Sequence, residues 1–246
     1  MRTEAFGMKF RHALLSAMLG VALAVPPAVP LFAQSTAATP SPAQLRMGPL
    51  TPVEQAFATR VTELLNRLYP TTDAAAKAGY ARYTNEDRTG AISWINPKYY
   101  PSDESHPAQL WYDVNGRLLG ADYSQLVATS PDAPTLFGLP AARFHKIGLH
   151  VHYVLKNPDG SIKYGNFIPA DAFRAAGGDP EHPTAATLVA MGKAPAPDAL
   201  PVVVAVPNNW DAQIWVVPNP DGQFADANPN VKPSPTQGGG TGEQRG

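Results

Sequence analysis

The most regular alternation of apolar and polar positions lies between Ile147 and Leu155. Alternation with a period of two is typical of a β-strand, because successive side chains point to opposite faces of a sheet. One face is apolar, and the other holds two imidazoles about 7 Å apart along the strand. The apolar face comprises Ile147, Leu149, Val151, Tyr153 and Leu155, and the second face comprises Gly148, His150, His152 and Val154. The pattern predicts a strand whose apolar face packs on a core.

A helical period is found nearer the start of the chain. Thr51-Pro52-Val53-Glu54 combines an N-cap threonine, a proline at the first helical position and the glutamate of a capping box. Apolar residues then recur at steps of three and four until Pro70. They are Val53, Phe57, Val61, Leu64, Leu65 and Leu68. We therefore expect an amphipathic helix with one face on a core.

Between these two stretches and beyond them, short apolar runs alternate with turn residues. The run 91–95 predicts a strand, and 109–120 predicts a hairpin closed by a type I′ turn at its Asn-Gly pair. The tetrapeptide Asn-Pro-Asp-Gly occurs twice, at 157–160 and 219–222, and predicts a tight turn after each of two strands. Short helices are expected at 73–78, 170–176 and 184–191.

The run 200–206 is the most continuous apolar stretch after the first 33 residues, so it predicts a central strand that is covered on both faces. Together these elements predict an α+β fold. One long N-terminal amphipathic helix packs on a mainly antiparallel sheet built of hairpins, and short helices connect the strands. The expected extent of this single domain is 50–225.

The two ends of the chain have a different composition. Residues 1–33 combine a basic start, an uncharged apolar run of about a dozen residues and small residues for cleavage, which together predict a secretory signal peptide. The segment 34–49 is rich in Ala, Pro, Ser and Thr and predicts a disordered lead-in, and 226–246 predicts a disordered tail. A signal peptide places the protein in the periplasm or outside the cell. The chain has no cysteine, so disulfides and thiolate metal sites are excluded.

Charge further narrows the classes of partner. The chain has 19 basic and 20 acidic side chains. Removal of 1–33 takes away Arg2, Lys9, Arg11 and Glu4 and leaves 16 and 19, a net charge of −3 with neutral histidines. No basic stripe is present to neutralise a run of phosphates, so nucleic-acid binding is not expected. After cleavage of the signal, no membrane association is expected either.

The chemistry of the histidine strand suggests a metal. His-x-His on one strand face offers two nitrogens to zinc or copper, which need at least one further ligand. His182 lies in the rigid loop 179–183 after the histidine hairpin and is the third ligand that we predict, while His106 and His145 are further candidates. The alternative is that His150 and His152 face solvent or hydrogen-bond to covering loops.

We therefore expect an exported, soluble binding or structural protein with a His-based transition-metal site at His150, His152 and His182. A second interpretation is a metal-assisted periplasmic hydrolase, with Glu181 or another carboxylate as base. A third is a carbohydrate- or small-ligand-binding module that uses the aromatic residues of segment 80–123, because flat rings with polar edges bind sugars. In strands such rings also fill cores.

Overall fold

Helix α1 begins where the capping residues predict. In the computed structural model of this chain, which describes residues 48–235, the Thr51 hydroxyl accepts a hydrogen bond from the Glu54 backbone N–H at 3.3 Å. The Glu54 carboxylate accepts one from the Thr51 N–H at 2.7 Å, which completes the capping box. Phe57, Val61 and Leu65 are fully buried along one face of the helix. The signal peptide 1–33, most of the lead-in 34–49 and residues 236–246 lie outside the described residues.

The described residues form an α+β structure with antiparallel sheets of hairpins, as the sequence predicts. The helices are α1 (Pro52–Leu68), α2 (Thr72–Lys77), α3 (Ala170–Ala175) and α4 (Ala185–Ala190). The strands are β1 (Ala81–Arg82), β2 (Ile92–Ile95), β3 (Gln109–Tyr112), β4 (Leu118–Leu126), β5 (His145–Ile147), β6 (His150–Lys156), β7 (Ile162–Pro169), β8 (Val202–Val206) and β9 (Asn209–Trp215). None of the helices within 48–235 is long and apolar enough to cross a membrane.

The strands divide into two sheets. One has six strands in the order β1-β2-β3-β4-β9-β5, and the other has three in the order β7-β6-β8. Helix α1 packs on one face of the six-stranded sheet, where Leu110, Tyr123 and Ile214 belong to its core. Helices α3 and α4 pack on the three-stranded sheet through Phe173 and Leu188.

A third group of buried residues lies between the two sheets, and we call this region the interlayer. On the six-stranded side it contains Tyr83, Ile95 and Ile147 of β5. On the three-stranded side it contains Val154 of β6 and Val204 and Val206 of β8. Both faces of the three-stranded sheet are therefore covered.

Three details differ from the sequence-based expectation. The segment 147–155 is not one strand, because β5 ends at Ile147 in the six-stranded sheet and β6 begins at His150 in the other. The run 200–206 forms β8, which is an edge strand and not a central one. Its valines are apolar because the layers on either side bury them, with Val203 towards α3 and α4 and Val204 towards the interlayer. Burial of a strand's faces does not determine its position in the sheet.

The third difference concerns the 109–120 hairpin, whose position is as predicted but whose turn is not type I′. A type I′ turn needs positive φ at both central residues. Gly116 has φ +75°, whereas Asn115 is not among the positive-φ residues of the described chain. The Asp113 carboxylate accepts hydrogen bonds from the N–H groups of Asn115 and Arg117 and stabilises the turn that forms instead. The pairing of β3 with β4 shifts register between Trp111 and Tyr112.

The first part of the segment 226–246 lies against the folded chain. Asn228 is buried, and its amide donates to the Pro218 carbonyl at 3.1 Å. Val231 packs on the apolar cluster that contains Trp111 and Trp215. Ser234 donates its N–H and O–H to the buried Glu86 carboxylate, at 2.7 and 2.5 Å. Polar contacts therefore hold 226–235, a segment in which the apolar content is low.

Candidate functional site

The break at Gly148 and Leu149 positions the two histidines. Across the break the chain leaves the six-stranded sheet and becomes the middle strand of the three-stranded one. The Leu149 N–H donates to the side-chain oxygen of Asn208 at 2.9 Å, and the Gly148 carbonyl oxygen lies 2.7 Å from Nδ1 of His150. Backbone and side-chain groups thus hold the turn into β6, and the turn itself orients the first imidazole.

His150 and His152 form a buried imidazole pair. Their Nε2 atoms lie 3.1 Å apart, and their ring centroids are 4.9 Å apart at an interplanar angle of 72°. The two side chains are only 6% and 3% exposed, so they do not face solvent. Because a carbonyl can only accept, Nδ1 of His150 carries the proton in the contact with Gly148. Its other ring nitrogen, Nε2, is the atom that faces Nε2 of His152.

Aromatic and aliphatic side chains surround the imidazole pair. The Tyr83 ring meets His152 edge to face with centroids 4.7 Å apart. The Phe167 ring lies 5.0 Å from His150 and 5.7 Å from His152. On the other side, Val206 and Val204 of β8 stand opposite the two histidines in the ladder. The pair therefore lies in a largely apolar interlayer, where a bare charge would be costly.

A strip of buried polar side chains leads away from the pair along the six-stranded sheet. The Tyr83 hydroxyl donates to Oε1 of Gln109 at 2.5 Å. Gln109 stands directly opposite Asp122 on β4, and Asp122 stands opposite Gln213 on β9. Asp122 accepts a hydrogen bond from the Trp111 indole at 2.7 Å. Directly paired residues share a face. This face of the six-stranded sheet is therefore polar, whereas the face that packs on α1 is apolar.

A second polar row follows on the same face, two residues along each strand. Ser124 stands opposite Asp211, and its hydroxyl donates to that carboxylate at 2.9 Å. His145 on β5 stands on the other side of Asp211. Its Nε2 also lies 3.6 Å from a carboxylate oxygen of Asp226. The two rows place the buried carboxyl groups of Asp122 and Asp211 on one sheet face.

The structure does not bring the predicted third ligand to the pair. His182 is 82% exposed, and its Nδ1 lies 2.9 Å from the Asp179 carboxylate in the same loop. That hydrogen bond and the negative charge of Asp179 raise the pKa of His182. Glu181, the predicted base, belongs to this exposed loop, where its N–H donates to Asp179. Within residues 48–235, no group of three or more His, Cys, Asp or Glu side chains is arranged to hold a metal ion.

His106 has a local partner as well. Its Nδ1 lies 2.9 Å from Asp103, and its ring stacks on Tyr99 with centroids 4.6 Å apart. Burial alone would raise the pKa of Asp103, but the hydrogen bonds from His106 and Ser105 lower it below the ordinary value. His106 therefore stabilises the turn at 103–106.

The aromatic residues of segment 80–123 are mostly internal. Five of their side chains are at most 3% exposed: Tyr80, Tyr83, Trp111, Tyr112 and Tyr123. Several pack against each other, and the Tyr80 hydroxyl donates to the carbonyl of Pro107 at 2.7 Å. Burial raises the pKa of Tyr112 above the ordinary tyrosine value. These five rings are packed in the buried cores and do not form an exposed platform for a sugar.

The sequence pattern indicates the two histidines but not their surroundings. Tyr83, Gln109, Asp122 and Asp211 are far apart in the chain, and only strand pairing brings them to one face. A signal for part of this face is present in β9, where Asn209, Asp211 and Gln213 alternate with apolar residues. Alternation alone would have placed these polar residues on a solvated face.

Comparison with known proteins yields no relative. No family model matches the chain, and neither a curated protein nor a solved structure matches it. The function must therefore be inferred from the geometry of the site.

Proposed function

We propose that the protein is an exported binding protein that takes up one transition-metal ion, zinc or copper, between His150 and His152. The observation that carries this proposal is the 3.1 Å separation of the two Nε2 atoms in a buried pair. Imidazole nitrogen suits both zinc and copper, and cysteine, the other common ligand of zinc, is absent from the chain.

The distance fits an ion between the two rings. Imidazole nitrogens bind zinc at about 2.0–2.1 Å, so two ligands of a tetrahedral ion lie about 3.3 Å apart. The observed 3.1 Å differs from that separation by a few tenths of an ångström.

The contact with Gly148 supports the same function. A histidine that binds a metal through one nitrogen commonly donates the proton of its other nitrogen to a carbonyl or carboxylate, which fixes the tautomer. Nδ1 of His150 has this arrangement, 2.7 Å from the Gly148 carbonyl oxygen. In that tautomer Nε2 carries the lone pair that a metal ligand needs.

Two imidazoles leave further coordination positions for water or for a molecule from solution. A site with an open position binds water or an external ligand there, unlike a closed structural site. A water molecule on the ion would also be the nucleophile that the hydrolase interpretation needs. Carriage of an ion is the function that the described ligands support most directly.

The test is a measurement of metal content and affinity. Protein purified from the periplasm without an affinity tag should carry near-stoichiometric zinc or copper by elemental analysis. After removal of the metal, titration calorimetry with zinc or copper should give one site. The His150→Ala/His152→Ala double variant should lose both the metal and the titration signal.

His182→Ala is the matched control, because it removes an exposed histidine that pairs with Asp179 and has no described contact with the pair. It should bind the ion as the wild type does. Wild-type protein that neither carries nor takes up either metal would refute the proposed function. Loss of the ion in His182→Ala would instead identify His182 as the third ligand.

A further inference from the structure

Phe167 occupies an unusual position for a large apolar side chain. It lies on β7, directly opposite His152 in the ladder, and its ring contacts both imidazoles. Even so, the residue is 53% exposed, whereas the two histidines are almost completely buried. The Phe167 ring therefore lies against the imidazole pair on one side and is open to solvent on the other.

Three neighbours of the pair are closed to solvent. Tyr83, Val204 and Val206 are at most 6% exposed. They lie in the interlayer, so displacement of any of them would disturb the packing of one sheet on the other. Phe167, by contrast, has ring contacts to both histidines and is open to solvent.

We propose that Phe167 is the access residue of the imidazole pair and controls how fast a metal ion enters and leaves. This inference rests on the proposed function, since it concerns the same site. Exposed side chains change rotamer within picoseconds to nanoseconds, and the swing of one half-exposed ring requires no strand to separate. Entry and exit then depend on one side chain at the rim, while the ligands stay fixed in the middle strand.

Shielding by Phe167 is measurable without any metal. Diethyl pyrocarbonate acylates accessible neutral imidazoles, and peptide mapping by mass spectrometry gives the rate at each histidine. In the metal-free wild type, His150 and His152 should react much more slowly than His182, which is 82% exposed. Phe167→Ala should speed the reaction of both buried histidines by about tenfold or more, the effect of lowering an access barrier by about 1.4 kcal/mol. The rate at His182 should not change.

Ile162→Ala is the matched control, because Ile162 is also an exposed apolar residue of β7 but stands opposite Lys156, far along the strand from the histidines. It should leave all three rates unchanged. Equal rates at His150 and His152 in wild type and Phe167→Ala would overturn the inference. So would an acceleration of the same size in Ile162→Ala, since that would indicate general loosening of β7.

The second measurement follows the ion itself. Zinc-loaded protein is mixed with an excess of a chromophoric chelator, and the absorbance gives the release rate. Phe167→Ala should release zinc about tenfold faster than wild type, and Ile162→Ala should match wild type. If the wild type binds zinc but Phe167→Ala does not change its release, the access role is refuted and the binding proposal stands. If the wild type binds no metal, the binding proposal fails, and the acylation rates still decide whether Phe167 shields the pair.

Discussion

At the residue scale, Glu54 and Arg143 form a buried ion pair outside the site. Nε of Arg143 lies 2.6 Å from a carboxylate oxygen of Glu54, and both side chains are at most 4% exposed. Removing one partner of a buried pair leaves the other charge without compensation, which costs about 3–5 kcal/mol. We therefore expect Arg143→Met to lower the free energy of unfolding by about that amount, as measured by urea denaturation.

Arg60→Met is the matched control, because it breaks a second ion pair that involves helix α1. Arg60 pairs with Glu104 at 2.6 Å, but the two side chains are 52% and 35% exposed, and such pairs contribute about 0–1 kcal/mol. If both variants lose the same small amount of stability, the buried pair does not have the importance assigned to it.

The same pair predicts a dependence on pH. Burial would raise the pKa of Glu54, but the hydrogen bonds from Arg143 and Thr51 outweigh burial and lower it below 4.5. A carboxyl whose folded-state pKa is lowered adds stability above its unfolded value, and this stability is lost as the pH falls through the folded value. The stability difference between wild type and Arg143→Met should therefore be full above about pH 4.5 and shrink below it. A difference that is constant down to acid unfolding would contradict this.

The residue scale also shows what the sequence could predict of the site. Period two correctly placed His150 and His152 on the same face of one strand. It did not show that a second sheet layer covers that face. Alternation indicates which residues share a face of the strand, but not what packs on that face. Phe167 and Tyr83 were equally out of reach, since their contacts with the histidines depend on pairing between distant segments.

At the scale of elements, the absence of a side chain at Gly120 allows β4 to pass between two tryptophans. Gly120 stands between Trp111 of β3 and Trp215 of β9, whose rings meet edge to face with centroids 5.3 Å apart. A Cβ at this position would collide with the carbonyl oxygen of Ile214 and lie 2.7 Å from Cε3 of Trp111. Gly120→Ala should therefore destabilise the protein by at least about 1–3 kcal/mol, since neither neighbour is a flexible chain end.

Gly148→Ala is the control for that substitution. A Cβ at Gly148 would meet nothing within 4 Å, and its φ is not in the positive range that favours glycine. Its effect on the denaturation midpoint should stay within about 0.5 kcal/mol, as for other open surface positions. Equal losses in the two alanine variants would show that flexibility, and not space, is what glycine provides at these two positions.

Elements with strong local signals were predicted well, and long-range arrangement was not. The capping residues Thr51 and Glu54 determine where α1 starts, because the bonds that they make are within one turn. The break at Gly148 has no comparable local signal, since β5 and β6 differ only in the strands with which they pair. The same limit applies to β8, whose apolar run reports two covered faces but not its place at the edge of a sheet.

At the scale of the whole molecule, the two polar rows and the imidazole pair form one connected interior. His152 contacts Tyr83, Tyr83 bonds to Gln109, and Gln109 pairs with Asp122. Apolar packing holds the outer layers on either side, at α1 and at α3 with α4. Buried polar side chains cost stability unless they are hydrogen-bonded, and such departures from an apolar interior are expected at functional or strained sites.

The segment 231–235 packs against the folded chain, and its removal tests how much these contacts contribute to stability. Val231 packs on the cluster of Trp111 and Trp215, and Ser234 gives two hydrogen bonds to the buried carboxylate of Glu86. Hydrogen bonds to a charged group are worth about 1.5–3 kcal/mol each. A chain that ends at Asn230 should therefore lose at least about 2 kcal/mol of unfolding free energy, and its tryptophan emission should shift to the red as water reaches the indoles.

A chain that ends at Pro235 is the matched control, since it keeps every contact of that segment described above and removes only 236–246, which composition predicts to be a disordered tail. Its denaturation midpoint and emission should equal those of the full chain. If the two truncations behave alike, the contacts of Val231 and Ser234 do not support the fold. If only the shorter chain is destabilised, the boundary of the folded domain lies beyond 225, because hydrogen bonds to Glu86 anchor a segment that has too few apolar residues to signal its own burial.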